Sequence, residues 1–307
     1  MTLNLREFTR EVRILDGAWG TELQRRGLPA GASPELWNRE NPGAVDAVAR
    51  SYVEAGSEII LTNTFGANRY VLAKYNAAER TKELAEAGVA ISRSAAGTAV
   101  KVFASAGPTG NIVMMGDVDP DAIVEAYAET AAALARGGAD AIVLETFNDL
   151  EELSLAFRGV KDGCDLPIVV SMSFAAGPDG TATIMGNRPE DLVRMAEDCG
   201  ADAVGANCGI GPDTYVRVAR RLGSATSLPI WIKPNAGSPQ MGPNGMTQFP
   251  IGPQEFASYA PQLVESGARC VGGCCGTTPD HVRAIVAILR NTLPSSSGGH
   301  VDEEHRR

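Results

Sequence analysis

The chain has 307 residues, 44% of them apolar and 6% aromatic, with a formal net charge of −10 from 27 basic and 37 acidic side chains. A chain of this length can bury a full core without disulfides or a structural metal. Its acidic balance and lack of a basic stripe argue against nucleic acid, whose phosphates call for clustered Lys and Arg. No apolar run approaches the ~20 residues of a membrane helix. The charged opening MTLNLREFTREVR does not read as a secretory signal, so the expectation is a cytoplasmic protein with reduced thiols. Of the three histidines, His300 and His305 fall in the tail SSSGGHVDEEHRR, whose composition reads as disordered. That leaves His281 and argues against Ser–His–Asp hydrolases and multi-histidine metalloenzymes.

In chain order, Leu5, Phe8 and Val12 predict a short helix at residues 1–12 that caps the floor of the main domain. Eight strand-like apolar runs come next: Ile14–Leu15, Glu58–Thr64, Lys101–Ala106, Ala141–Thr146, Pro167–Phe174, Ala203–Cys208, Pro229–Pro234 and Arg269–Cys274. All but the first have the near-continuous hydrophobicity of strands buried on both faces. Helical patterns lie between them. Asn41-Pro42 opens one that runs to Gly56, and Asp119-Pro120 opens another that stops at Gly137-Gly138. Thr278-Pro279 opens the last, each an N-cap residue before a proline at the first helical position. Eight β–α alternations predict a single-domain (β/α)8 TIM barrel over residues 13–293, with 294–307 as a tail; an open doubly wound sheet is the alternative.

The C-terminal ends of barrel strands face the active site. Read in order, these ends carry Asp16, then Thr62-Asn63-Thr64, Gly107-Pro108-Thr109-Gly110 and Glu145. They continue with Ser171–Ser173, Asn207-Cys208, Asn235 and finally Cys274-Cys275. Three thiols thus meet at the mouth: Cys208 ends strand six, and Cys274 and Cys275 end strand eight where Gly272, Gly273 and Gly276 let the chain break. Three thiolates with a fourth position free fit a zinc site. Packing, or a vicinal redox pair at Cys274-Cys275, is the competing reading, and Cys164, Cys199 and Cys270 read as small buried hydrophobes. Asp16 and Glu145 could form an acid/base pair or hold an ammonium group. Lys233 beside them has a weak Schiff-base reading, His281 reads as a surface or capping residue, and Trp19, Trp37 and Trp231 read as packing. None of the glycine-rich turns has a nucleotide-binding pattern.

Taken together, DGAWGTELQ, LTNTFGANRY, GPTG, LETFNDLEE, GANCGIGP, PNAG and GGCCGTTPDHV resemble the homocysteine S-methyltransferase family from about residue 13 to 290, and most of all its methionine-synthase branch. The resemblance implies a (β/α)8 barrel that moves a methyl group to the homocysteine thiolate to form methionine. It further implies Cys208, Cys274 and Cys275 as catalytic zinc ligands, with Asn235 as a displaceable fourth. Asp16 and Glu145 would hold the substrate amino group, the backbone around Gly17-Ala18 and the Thr62-Asn63 turn would lie near its carboxylate, and Asn207 would complete the pocket. Gly66 and Thr146 stand where betaine users carry tyrosines, and Gly276 where S-methylmethionine users tend to carry arginine. These departures point to methyl delivery by a separate methylcorrinoid protein, with methylcobalamin carried by that partner. A different thiol or selenol acceptor, a small methyl donor, and a non-enzymatic zinc or redox sensor are the competing readings.

Overall fold

The computed structural model describes residues 2–116, 118–242 and 247–292. Eight parallel strands make up the sheet: β1 (Arg13–Ile14), β2 (Ile59–Ile60), β3 (Lys101–Ala106), β4 (Ala141–Phe147), β5 (Ile168–Met172), β6 (Ala203–Cys208), β7 (Ile230–Pro234) and β8 (Ala268–Val271). Each pairs with its sequence neighbour from β2 to β8, and β8 pairs with β1. A bridge from Leu15 to Ile59 joins β1 to β2, so the sheet closes on itself. Helices cover the outside, among them Pro42–Glu54, Thr81–Ala96, Pro120–Arg136, Leu150–Gly163, Pro189–Cys199, Pro212–Ala225 and Pro279–Thr292. The expected TIM barrel is the fold. Among the described residues no helix is long and apolar enough to cross a membrane.

Two apolar cores result from strand alternation, since successive side chains point to opposite faces. One lies between sheet and helices. The other fills the barrel with Leu15, Ile59, Leu61, Phe103, Ala141, Val143, Val169, Ala203, Trp231 and Cys270, and Leu5 of the one-turn helix Leu5–Phe8 plugs its floor. The Phe103 and Trp231 rings stack inside it at 5.7 Å. Two residues further along the same faces come Ser105, Glu145, Ser171 and Lys233, and four beyond Ala203 comes Asn207, all buried. The alternation that fills the barrel with hydrocarbon therefore lays a polar layer on top of it.

Several boundaries differ from expectation. The second run is regular only at Ile59–Ile60, because the Leu61 N–H turns to the Asp16 carboxylate (2.7 Å) instead of a ladder carbonyl. The last strand stops at Val271; beyond it the Gly272 and Cys274 N–H groups still bond to Ile232 and Pro234 of β7, while Gly273 turns to Asp16. Asn41 precedes its helix without making a side-chain cap, whereas Asp119 caps through the Asp121 N–H. Cys199 is exposed and Cys164 half-buried, so only Cys270 of the three proposed packing thiols is in the core. The tail 294–307, with His300 and His305, lies outside the described residues.

Candidate metal and thiol site at the barrel mouth

Cys208 closes β6 with φ +63°, a left-handed backbone that non-glycine residues seldom adopt. Cys274 and Cys275 sit in the turn after β8, which continues through Gly276 at φ +82°; a β-carbon there would run into the Phe249 ring at 2.2 Å. These two backbone features aim distant sulfurs at one point. The Cys208, Cys274 and Cys275 Sγ atoms all lie within 4.8 Å of one another.

S–H donation from Cys274 and Cys275 pulls the Cys208 thiol down to about 3. The thiolate so formed holds the other two protons in place, and Cys274 rises to about 12. Three adjacent thiolates repel one another, so a lone cluster favours a single anion. A divalent cation would replace those protons, and three sulfurs with a fourth place open suit zinc. Asn235 adds a further donor: its amide stands beside Cys208, its Nδ2 donates to the Gly209 carbonyl (2.8 Å), and its buried Oδ1 has no partner. The residues present fit the metal.

Asn207 organises the floor next to the sulfurs. Its Oδ1 accepts from the Thr146 N–H (2.8 Å) and the Ser171 hydroxyl (2.7 Å), and its Nδ2 donates to Thr146 Oγ1 (2.6 Å) and Glu145 Oε2 (3.2 Å). Thr146 is held at φ +65°, a strained setting for a β-branched residue. Ser105 donates to the other Glu145 oxygen. Burial pushes the Glu145 carboxyl up to about 7, against the opposing pull of the Lys233 charge.

Asp16 takes a different place from its sequence neighbours. It is fully buried, and its oxygens accept from Lys233, from Trp19 Nε1 (2.8 Å) and from the Leu61 N–H (2.7 Å). Lys233 is thus ion-paired, whereas the Schiff-base role weighed for it needs the neutral amine. Asn63 borders the cavity as well, while its Nδ2 donates to the Pro34 carbonyl and to Asn38 Oδ1 and so fixes the loop after β1. Gly17, Ala18, Thr62, Glu145, Lys233 and the three cysteines line one cavity of about 480 Å³. Its outer wall contains Trp19, Phe65, Tyr75 and Glu35, whose carboxylate clamps the Gly66 N–H at 2.7 Å. His281 is buried, not on the surface: Nδ1 accepts from the Thr278 N–H (3.2 Å) at the start of the last helix, and Nε2 meets the Ile251 carbonyl (3.1 Å).

The family model for homocysteine S-methyltransferase matches residues 13–289. The chain belongs to the homocysteine S-methyltransferase family. Among its relatives, the methionine synthases of Mycobacterium leprae and Mycobacterium tuberculosis are 33% and 34% identical over 93% and 92% of this chain. The chain spans about a quarter of the length of those relatives. Among solved structures, the metallated form of the homocysteine methyltransferase MmuM from Escherichia coli superposes with a TM-score of 0.77 at 24% identity, over 93% of this chain and all of that one. Its oxidised form gives 0.76 at 25% identity, over 94% of this chain and all of that one. Ser105 and Glu35, which the motifs did not single out, also border the cavity, as do Lys233, Thr146 and Trp19, which the sequence suggested only as a weak Schiff-base candidate, a departure from betaine users and a packing residue. Lys233 and Ser105 could have been found by counting two positions on from the inward Trp231 and Phe103.

Proposed function

We propose that the chain is a zinc-dependent methyltransferase that makes methionine from homocysteine. The observation that carries the proposal is the convergence of three thiols within 4.8 Å in the wall of a cavity. Bound there by Cys208, Cys274 and Cys275, zinc would supply thiolate activation, replacing the acceptor's S–H proton without any histidine base. A free thiol is only a few per cent ionised at neutral pH.

The protein's own groups hold the rest of the acceptor. Glu145, fixed by Ser105 and Asn207, offers its remaining lone pairs to the acceptor ammonium. Gly17, Ala18 and Thr62 border the same cavity and leave room for a small amino acid. Asn235 is the neighbour whose oxygen would yield its place to the incoming sulfur. The methyl group transfers to that sulfur as a thioether bond forms and the bond to the donor breaks, with the donor aligned from the open side.

Delivery by a separate methylcorrinoid protein is supported by the rim. Phe65, Tyr75, Ile112, Met115, Ile184, Met185 and Met241 are the large exposed apolar side chains among the described residues, and all lie on connections that follow the C-terminal ends of strands. Such residues gathered round a mouth mark a surface for a macromolecule. The test is methyl transfer to homocysteine from methylcobalamin protein, S-methylmethionine and betaine in turn, with and without a chelator. Chelator-sensitive transfer from the corrinoid protein is expected, and full activity without zinc would overturn the proposal.

A further inference from the structure

One of the two acids expected to hold the acceptor's ammonium, Asp16, already holds an ammonium of the protein's own. Asp16 and Lys233 form an ion pair in which both side chains are essentially without solvent, at 0% and 1% exposure. Desolvation of both ions offsets much of their attraction, so a buried pair of this kind is weak evidence for a stabilising role. Asp16 does not line the cavity, whereas Lys233 and Glu145 both do, together with Cys274.

The hydrogen-bond inventory gives the pair a direction. An ammonium has three N–H donors and no acceptor. Asp16 takes one of the Lys233 donors, and among the described residues no second acceptor takes another. The Asp16 carboxylate has three donors of its own, from Lys233, Trp19 and the Leu61 backbone. Asp16 is therefore the anchor and Lys233 the group with capacity to spare. Lys233 is held from beneath as well, since it stands two residues above Trp231 on β7 with its Nζ 6.0 Å from the indole centroid. The cavity wall next to the thiol cluster consequently presents a cation, Lys233, and a carboxyl group, Glu145, near each other. An α-amino acid carries the complementary pair, a carboxylate and an ammonium on a single carbon.

We propose that Lys233 is a specificity-determining residue that binds the acceptor's carboxylate, with Asp16 as its positioning residue and Glu145 left to read the ammonium. The assignment rests on the homocysteine reading and divides its recognition in a new way: one acidic residue, not two, faces the amine, and a lysine faces the acid. The acceptor class is a zwitterionic thiol amino acid in which both charges are read by side chains.

The test is calorimetric binding to the zinc-loaded chain of three thiols: homocysteine, 3-aminopropanethiol, which lacks the carboxylate, and 4-mercaptobutanoate, which lacks the amine. Loss of a hydrogen bond to a charged group should make 3-aminopropanethiol bind the unaltered protein about 10- to 100-fold more weakly than homocysteine. In Lys233→Met/Asp16→Asn, which removes both buried charges together, that ratio should fall to about 3-fold or less, while the preference over 4-mercaptobutanoate persists. Lys233→Gln, which keeps an N–H but not the charge, should give an intermediate ratio and serves if the double variant fails to fold. Zinc content and a thermal melt on each variant separate lost recognition from a lost fold. An unchanged ratio in the folded variants overturns the Lys233 assignment and leaves the methyltransferase reading intact. If none of the three thiols binds the unaltered protein, homocysteine recognition itself fails and the Lys233 assignment falls with it.

Discussion

Glu145 is the residue whose environment makes the sharpest statement. Its carboxyl is pushed up to about 7, mainly by burial. A folded-state value above the unfolded one means that ionisation opposes folding: the protein keeps the stability of a neutral Glu145 below about 4.5 and loses it as the pH rises to about 7. In metal-stripped protein, Glu145→Gln should therefore gain stability relative to the unaltered chain between those values, by up to about 3 kcal/mol, with a plateau above. Denaturant melts across pH 4–8 check this, and a flat difference would show that Glu145 is not held in a desolvated site. Homocysteine affinity, which needs the ionised form, should rise over the same interval. Cys208→Ala or Cys275→Ala should each abolish stoichiometric zinc and activity together, read by metal analysis and a transfer assay. Cys270→Ala, inside the barrel and away from the mouth, should keep the metal at a cost of about 1 kcal/mol in stability. At this scale the sequence disclosed the three thiols, because adjacent cysteines among glycines and a cysteine at a strand end are rare features. It did not disclose that Asp16 belongs to Lys233, since the two lie 217 positions apart and only closure of the barrel brings them together.

At the scale of the element, the mouth depends on strand ends that leave their ladders at the right place. The strand after Gly267 ends at Val271, and the turn through Gly276 carries Cys274 and Cys275 inward. Gly276→Ala would force a β-carbon into Phe249 at a positive φ, so we expect a loss of about 1–3 kcal/mol and a weaker metal site, measured by melting and by chelator competition. Strand existence was legible because runs such as AIVLETF and PIVVSMSF open on an unbroken apolar stretch, as burial on both faces requires. The ends were less legible. Side chains such as Asp16 and Glu58 take over backbone donors near β1 and β2, and no run of hydrophobicity records such an exchange. Asn41 looked like a cap from its type alone, yet its side chain makes no capping bond.

For the whole molecule, the barrel is a filled cylinder whose hydrocarbon layers support one polar floor. Trp231 and Phe103 lie directly under that floor, stacked and fully buried. Trp231→Ala should cost about 3–5 kcal/mol and also loosen Lys233 above it, so melting and homocysteine affinity should fall together. Eightfold alternation made the closed barrel readable in outline, whereas the cavity's size and its apolar rim arise from loops of unlike length and were not. The proposed role of this barrel is to activate the acceptor thiol at the three-cysteine site. The most direct test of that account is X-ray absorption at the zinc edge, before and after homocysteine. Three sulfurs at about 2.3 Å with one lighter ligand, becoming four sulfurs with homocysteine, is the expected result. Fewer than three protein sulfurs, or a spectrum that homocysteine leaves unaltered, would contradict it.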